Sequence, residues 1–252
     1  MATIQCDLHL HSALSPCADN EMTPGNIVSM AYMNGLDVIA ITDHCSTKNC
    51  EAAIELAKTV KQEYGRAPLV IPGMELEVAE GFHVVALFPD LKAASEFDDY
   101  LTKNRPVISN RVDIFGEQWV YNNNDEPVVQ IPNLLSTSSF LTMSQVQDAL
   151  QSIGAAFFPA HVDKDAYSMV ASLGTVPPEW VGRLLELSKR ADKNAFLQAH
   201  PELSDYYFIV DSDAHQLPDI ADPGFSLPIN DEMLPNLDIP SFVNALRDFM
   251  RW

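Results

Sequence analysis

The sequence predicts an α/β fold: a mostly parallel sheet wrapped by helices, in one domain over residues 1–252. Three observations predict it. The 252 residues are 47% hydrophobic, enough for one sizeable core and a size match for a single α/β barrel. Short apolar runs bounded by turn formers alternate with longer segments of helical spacing. Histidine or aspartate follows directly on most of the apolar runs, and in a βα barrel such positions converge on one rim, where active sites form.

The elements follow in order. Thr3–Leu10 reads as a strand ending in polar residues. Thr23-Pro24 is an N-cap followed by proline at the first helical position, opening a helix to about Asn34 that Gly35 stops. Leu36–Ile41 is a buried-strand run that stops at Thr42-Asp43-His44. Residues 49–64 carry apolar side chains at helical spacing, with Gly65 as the stop. Leu69–Ile71 is a short strand leading to Pro72-Gly73-Met74-Glu75, where a turn can aim the carboxylate inward. Phe82–Phe88 is a strand with His83 near its start, and residues 92–103 are helical.

From about residue 104 to 142 the rhythm breaks, with several turn formers and no clean period. This stretch reads as an insertion, a lid or substrate-shaping segment. Beyond it come a helix over Ser144–Ser152, a strand over Ala155–Ala160 ending at His161, and a strand at Leu184–Leu187. A helix from about Arg190 to Ala199, a strand over Tyr206–Val210 ending at Asp211-Ser212-Asp213-Ala214-His215, and an amphipathic helix over Ser241–Met250 complete the pattern.

Charge narrows the function. With 35 acidic and 15 basic residues the formal net charge is −20. Affinity for long nucleic acid comes from Lys and Arg neutralising phosphates, and anionic membrane attracts basic segments, so both partners are disfavoured. A strand end or small phosphate ester held by a metal remains open, because bound cations reverse the local sign. The opening residues show no basic stretch followed by an apolar one, and no run is long and apolar enough to span a membrane. The four cysteines, Cys6, Cys17, Cys45 and Cys50, therefore read as reduced thiols of a cytoplasmic protein.

Six of the seven histidines sit in ligand-like segments. Asp7-Leu8-His9-Leu10-His11 places two imidazoles two apart on a strand, facing the same side and able to reach one metal. Asp7 shares that face and is placed to accept a hydrogen bond behind the ligands. His44, His161 and the Asp213–His215 pair follow apolar strands. A single histidine at a strand end is usually a structural residue. Imidazole and carboxylate at one strand end after another is what a divalent-metal cluster requires. Only His200, in a loop-like Ala-His-Pro, stands apart as a surface residue. Cys45 and Cys50 flank the Thr42-Asp43-His44 loop without a partner CxxC, and the aromatic pair Trp119 and Tyr121 reads as core packing rather than a stacking platform.

In that order, DLHLHS, ITDH, PGME, the His83 strand, PAH and SDAH resemble the PHP family, named for polymerase and histidinol phosphatase. The resemblance implies a distorted seven-stranded βα barrel with two or three divalent cations (zinc, manganese or iron) at its rim. It implies a first cation on His9, His11, Glu75 and Asp213, and a second on Glu75, His83 and His161 with Glu75 bridging. A third would use His44, His215 and one residue of the loop after His11. Relatives place Asp or His five or six residues after the second histidine, where this chain has Pro16 and Cys17. Asp19, a hard oxygen ligand in the same loop, is taken for the third cation, with Cys17 as the alternative.

The implied activity is hydrolysis of a small phosphorylated metabolite or nucleotide by attack of a metal-bound hydroxide on phosphorus. Asp213 is assigned as water-proton acceptor as well as ligand, and Asp43 as the carboxylate that orients a ligand histidine. Lys164, three residues past His161, and Arg111 in the insertion are the candidate cations for substrate phosphate. Alternatives from other classes are an exonuclease acting on strand ends, an amide or ester hydrolase using the same metal centre, and a non-catalytic metal-binding module. The complete ligand set argues against the last.

Overall fold

The computed structural model describes residues 2–221, 225–229 and 236–250. The first half runs β1 (Ala2–Leu10), α1 (Pro24–Met33), β2 (Val38–Ile41), α2 (Cys50–Tyr64), β3 (Leu69–Glu77), β4 (His83–Leu87) and α3 (Leu91–Thr102). The 104–142 stretch holds one helical turn, α4 (Val112–Phe115), and a hairpin of β5 (Trp119–Tyr121) and β6 (Pro127–Gln130). Then come α5 (Met143–Ser152), β7 (Ala156–Pro159), α6 (Met169–Leu173), β8 (Leu184–Leu187), α7 (Lys193–Ala199), β9 (Tyr207–Val210), β10 (Phe225–Ile229) and α8 (Ile239–Met250).

Local chemistry sets the ends of the helices. The Thr23 side chain accepts from the Asn26 N–H, and Pro24 occupies a position whose own N–H would have no helical partner. Thr142 and Gln145 form a reciprocal capping box at the start of α5. Gly65 ends α2 in the left-handed region, at φ 79°. α7 starts at Lys193 rather than near Arg190, because Asp192 accepts from the N–H groups of Asn194 and Ala195 and so fixes the cap there.

The fold is mixed α/β. Six strands pair in the order β10-β1-β2-β3-β4-β7, and β8 and β9 form a separate parallel pair. Contrary to the expectation of a parallel sheet, only β1, β2 and β3 run parallel within the larger sheet. β3–β4, β4–β7 and β1–β10 are antiparallel. The physical reason at β3–β4 is the connection: residues 78–82 are too few for the crossover of a dozen or more residues that parallel neighbours need. Among the described residues the strand ladders do not run continuously round a ring.

β3 also differs from expectation, continuing through Pro72-Gly73 to Glu77. Gly73 is there for close approach, not for a turn. A Cβ at that position would lie 2.7 Å from Thr42 Cγ2 and 3.0 Å from the Ala86 carbonyl. The glycine therefore lets β2 and β4 close on both sides of β3, which carries Glu75 straight into the site.

The central strands are buried on both faces, as sheets covered by helices require. Along β2, Val38 and Ala40 join one apolar cluster while Ile39 and Ile41 join another. The larger cluster holds Phe82, Phe88, Phe158 and Phe242, all fully buried, each contributing about 1.5–3 kcal/mol by leaving water. This rigid floor fixes the strand ends from which the polar cluster projects.

Candidate metal centre

Glu75 lies at the middle of the polar cluster. Its Oε1 is 2.8 Å from His83 Nδ1, 3.3 Å from His161 Nε2 and 3.4 Å from His9 Nε2. Its Oε2 is 3.0 Å from His44 Nδ1 and 3.3 Å from His11 Nε2. Asp213 closes the other side, with Oδ1 3.5 Å from His9 Nε2 and 3.3 Å from His11 Nε2. Three sets of ligand atoms are close enough to share an ion: His9, His11 and Asp213; Glu75, His83 and His161; and His11, His44 and His215.

The donor chemistry fits divalent cations. An ionised carboxylate only accepts hydrogen bonds, so the His9 Nδ1 that faces Glu186 carries the ring proton. The His9 Nε2 lone pair is then turned toward His11 Nε2, 3.2 Å away, with Glu75 and Asp213 oxygens beside them. A buried set of acceptors facing one another is stable only with positive charge among them, which protons or metal ions supply.

The titration shifts express the same balance. Burial opposes charge on His11 and His44, yet Asp213 and Glu75 hold His11, and Glu75 holds His44, up to about 9. For His9, burial is likewise outweighed by Glu186, Glu75 and Asp213, leaving it well above the usual imidazole value. Burial works against the Glu75 carboxylate, but the imidazoles of His83, His9 and His44 bring it well below the normal range. His215 goes the other way, to about 3, through burial and the charge on His11. Strain concentrates here as well. His161, Tyr167, Asp213 and Cys45 all have positive φ, and such residues persist only where their surroundings over-determine them.

A model of the PHP domain matches residues 7–172, well over half of the chain. The chain belongs to the PHP family. The family uses several divalent cations, and the described residues present three sets of ligand atoms able to hold them. No curated protein sequence matches it. Endonuclease Q of Pyrococcus furiosus, a lesion-specific endonuclease, is similar with a TM-score of 0.62 at 17% identity, over 97% of this chain and 56% of that one. This PHP chain therefore spans little more than half the length of that enzyme. A candidate metal-dependent phosphoesterase of Bifidobacterium adolescentis is similar at TM-score 0.55 and 17% identity, over 92% of this chain and 94% of that one. An amidohydrolase of Chromobacterium violaceum, with sulfate bound and no metal, is similar at 0.54 and 15%, over 96% of both. At these identities the likeness shows the fold.

The PHP chain brings eight of the expected ligands together: His9, His11, His44, Glu75, His83, His161, Asp213 and His215. Asp19 is not with them. Its side chain is exposed, and its backbone N–H donates to the His215 carbonyl. The side chain of that loop that reaches the cluster is Cys17, whose Sγ lies 3.1 Å from His215 Nε2. Both residues are exposed, but of the two it is the Cys17 side chain that meets a cluster histidine.

Asp43 touches no reacting position. It accepts from the Ser12 N–H at 2.7 Å, the Ser12 hydroxyl at 2.6 Å and the Ser15 hydroxyl at 2.8 Å. Ser15 Oγ is 2.9 Å from His11 Nδ1, so Asp43 acts on His11 through Ser15. Asp7 accepts from the backbone N–H groups of Ser212 and Ala221, not from a ligand histidine, and the β1–β2 register slips between Asp7 and Leu10. Lys164 Nζ sits 2.7 Å from Asp213 Oδ2 at a pocket of about 180 Å³ lined by His44, Glu75, His83, His161, Tyr167 and His215. Arg111 is exposed and paired with Asp113 at 2.6 Å, away from that pocket. His200 stays outside the cluster, beside Glu202 and Phe196.

Two residues escape a reading of the sequence. Glu186 is fully buried against His9, and its signal is a lone acid inside the apolar run LLEL. Tyr167 stacks on His83 with ring centroids 4.9 Å apart, and its carbonyl accepts the His83 N–H. Nothing in the sequence around Tyr167 announces that contact.

Proposed function

We propose that the chain hydrolyses the phosphate ester of a small metabolite or nucleotide, with Glu75 as a ligand that two cation sites would have in common. The observation that carries this reading is the position of Glu75, one carboxylate facing five imidazoles beside a lysine-bearing pocket of about 180 Å³. In this reading His9, His11, Glu75 and Asp213 hold one cation, and Glu75, His83 and His161 a second. His44 and His215 hold a third together with Cys17. The bound cations supply a water of lowered pKa and neutralise charge on the phosphoryl oxygens.

The chain's own groups do the rest. Asp213 divides its carboxylate: Oδ1 faces the histidines and Oδ2 faces Lys164. With phosphate in the pocket, Lys164 would turn to a non-bridging oxygen, leaving Asp213 Oδ2 free to accept a proton. Tyr167, packed flat on His83, forms a wall of the pocket that orients the substrate's organic part.

The likeness to endonuclease Q favours a second reading, action on nucleic acid. Against it stand the net charge of −20 and a pocket rim with Lys164 as its cation. A hydrolysis screen of metal-reconstituted protein over phosphomonoesters, dinucleotides and oligonucleotides separates the two. Turnover of monoesters, lost in His161→Ala with the fold retained, is expected. Cleavage of oligonucleotides alone would overturn the small-substrate reading.

The architecture of this reading is one domain with a closed barrel of seven strands: β1, β2, β3, β4, β7, β8 and β9. Two hydrogen bonds across the seams support closure, from Val162 N–H to the Glu186 carbonyl at 2.8 Å and from His11 N–H to the Ala214 carbonyl at 3.0 Å. The 104–142 segment shapes the site by bracing the loop after His11 rather than as a lid. Trp119 N–H donates to the Ala13 carbonyl, and Asn49 Nδ2 donates to both Ser12 Oγ and the Trp119 carbonyl.

A further inference from the structure

Glu186 is the one charged residue of β8, and its side chain is fully buried. An ionised carboxylate in such a place is costly unless its oxygens are satisfied. Here both oxygens face His9 Nδ1, at 3.1 and 3.0 Å. Oε2 also accepts the backbone N–H of His161, at 3.2 Å. His9 and His161 belong to different ligand sets, one with His11 and Asp213, the other with Glu75 and His83. The two neighbouring buried acids do something else. Asp7 accepts from the backbone of Ser212 and Ala221, and Asp211 from the backbone of Leu8.

We propose that Glu186 is a positioning residue that sets two metal sites at once, by fixing the His9 ring and the backbone at His161 with one carboxylate. The inference rests on the two-cation reading of Glu75 above. At His9 it holds the proton on Nδ1, so that Nε2 presents its lone pair, and it makes that nitrogen a stronger donor. At His161 it helps hold a residue at φ 32°, a conformation the chain would otherwise leave. Glu186 does not line the pocket, so it acts on the cations and not on substrate.

The test is a titration of chelator-stripped protein with Mn²⁺, following free ion by electron paramagnetic resonance. Glu186→Gln keeps the size of the side chain and removes its charge. Affinity at both of the Glu75-linked sites is expected to fall together, by roughly 10- to 100-fold. Excess Mn²⁺ should restore kcat with KM unchanged. Ser15→Ala removes contacts to His11, to the His44 N–H and to Asp43, none of them to Glu186, His83 or His161, and should weaken the sets that use His11 while sparing the Glu75–His83–His161 set. Wild-type affinity at either site in Glu186→Gln overturns the proposal.

Should that variant fail to fold, nitrogen-detected NMR of the zinc-loaded wild type decides. A slowly exchanging proton on His9 Nδ1 is expected, and a deprotonated Nδ1 overturns the proposal. Wild-type protein that takes up no Mn²⁺ overturns the metal-hydrolase reading itself, which is a different failure from selective retention in the variant.

Discussion

The floor and the rim of the metal centre are built by different rules. On the floor, His9, His11, Glu75 and Glu186 have at most 1% of their surface exposed. Each imidazole there is held from behind, His9 by Glu186 and His11 by the Ser15 hydroxyl, which Asp43 fixes in turn. At the rim, Asp213, His215 and Lys164 are 17%, 29% and 41% exposed, and Cys17 is open to solvent. The floor is held from behind at each imidazole, and the rim is the part open to solvent. In the proposed reaction the Lys164–Asp213 pair is the contact that phosphate would displace.

The sharpest way to break this contrast is at Glu75. Glu75→Gln removes the charge that five imidazoles share. Metal binding at the two deep sites should be lost, and kcat should fall by at least about 100-fold, the order for loss of one transition-state stabilising group. The metal-free variant should also unfold more easily, since breaking a buried ion pair costs about 3–5 kcal/mol. Two full equivalents of metal bound by the variant would show that the floor is not organised around Glu75.

Floor and rim were unequally legible in the sequence. His9 lies within β1 and His11 just past its end, two apart, so strand periodicity places both on one face. The antiparallel turn of β4 was hidden, because Leu69–Ile71 followed by Pro-Gly looks like a strand that stops. Gly73 serves a close approach that only the neighbouring strands explain. β10 was missed, having no motif to mark it and pairing only at the edge beside β1. The lone acid of LLEL marks Glu186 in the sequence but not its role, which comes from His9, 177 positions away. At the rim, hardness of ligand favoured Asp19 over Cys17, but which loop side chain meets His215 depends on the path of the loop, which composition does not reveal.

Proton competition should separate metal-free from metal-loaded protein. His11 and His44 titrate at about 9 in the metal-free fold, so metal binding near neutrality must expel their protons. Metal affinity should therefore rise with pH and level off near 9. The same shifts set stability without metal. Groups raised from 6.5 stabilise the fold fully below 6.5, and that contribution disappears as pH climbs through 9. Glu75, lowered from 4.5, contributes above 4.5 and is lost as pH falls. Calorimetry in chelator should show the highest Tm between roughly 4.5 and 6.5 and a decline toward 9, while metal-loaded protein keeps its Tm across that window. A flat metal-free profile from 6.5 to 9 would mean that the imidazoles are not charged in the empty cluster.

The smallest effect is expected at the rim, from Cys17→Ser. Cys17 Sγ is 3.1 Å from His215 Nε2 and hydrogen-bonded to His44, but it has no contact with Glu75 or His9. The variant should keep both deep cations and its fold, and lose the third, because a hydroxyl is a far poorer ligand than a thiolate. Cobalt substitution reads this directly: wild type should show a sulfur-to-cobalt charge-transfer band that Cys17→Ser lacks. A sulfur ligand also biases the rim site toward zinc, while imidazole and carboxylate leave the floor open to manganese or iron. If cobalt spectra of the two proteins coincide, the thiol is a bystander and the rim holds its cation, if any, by His11, His44 and His215 alone.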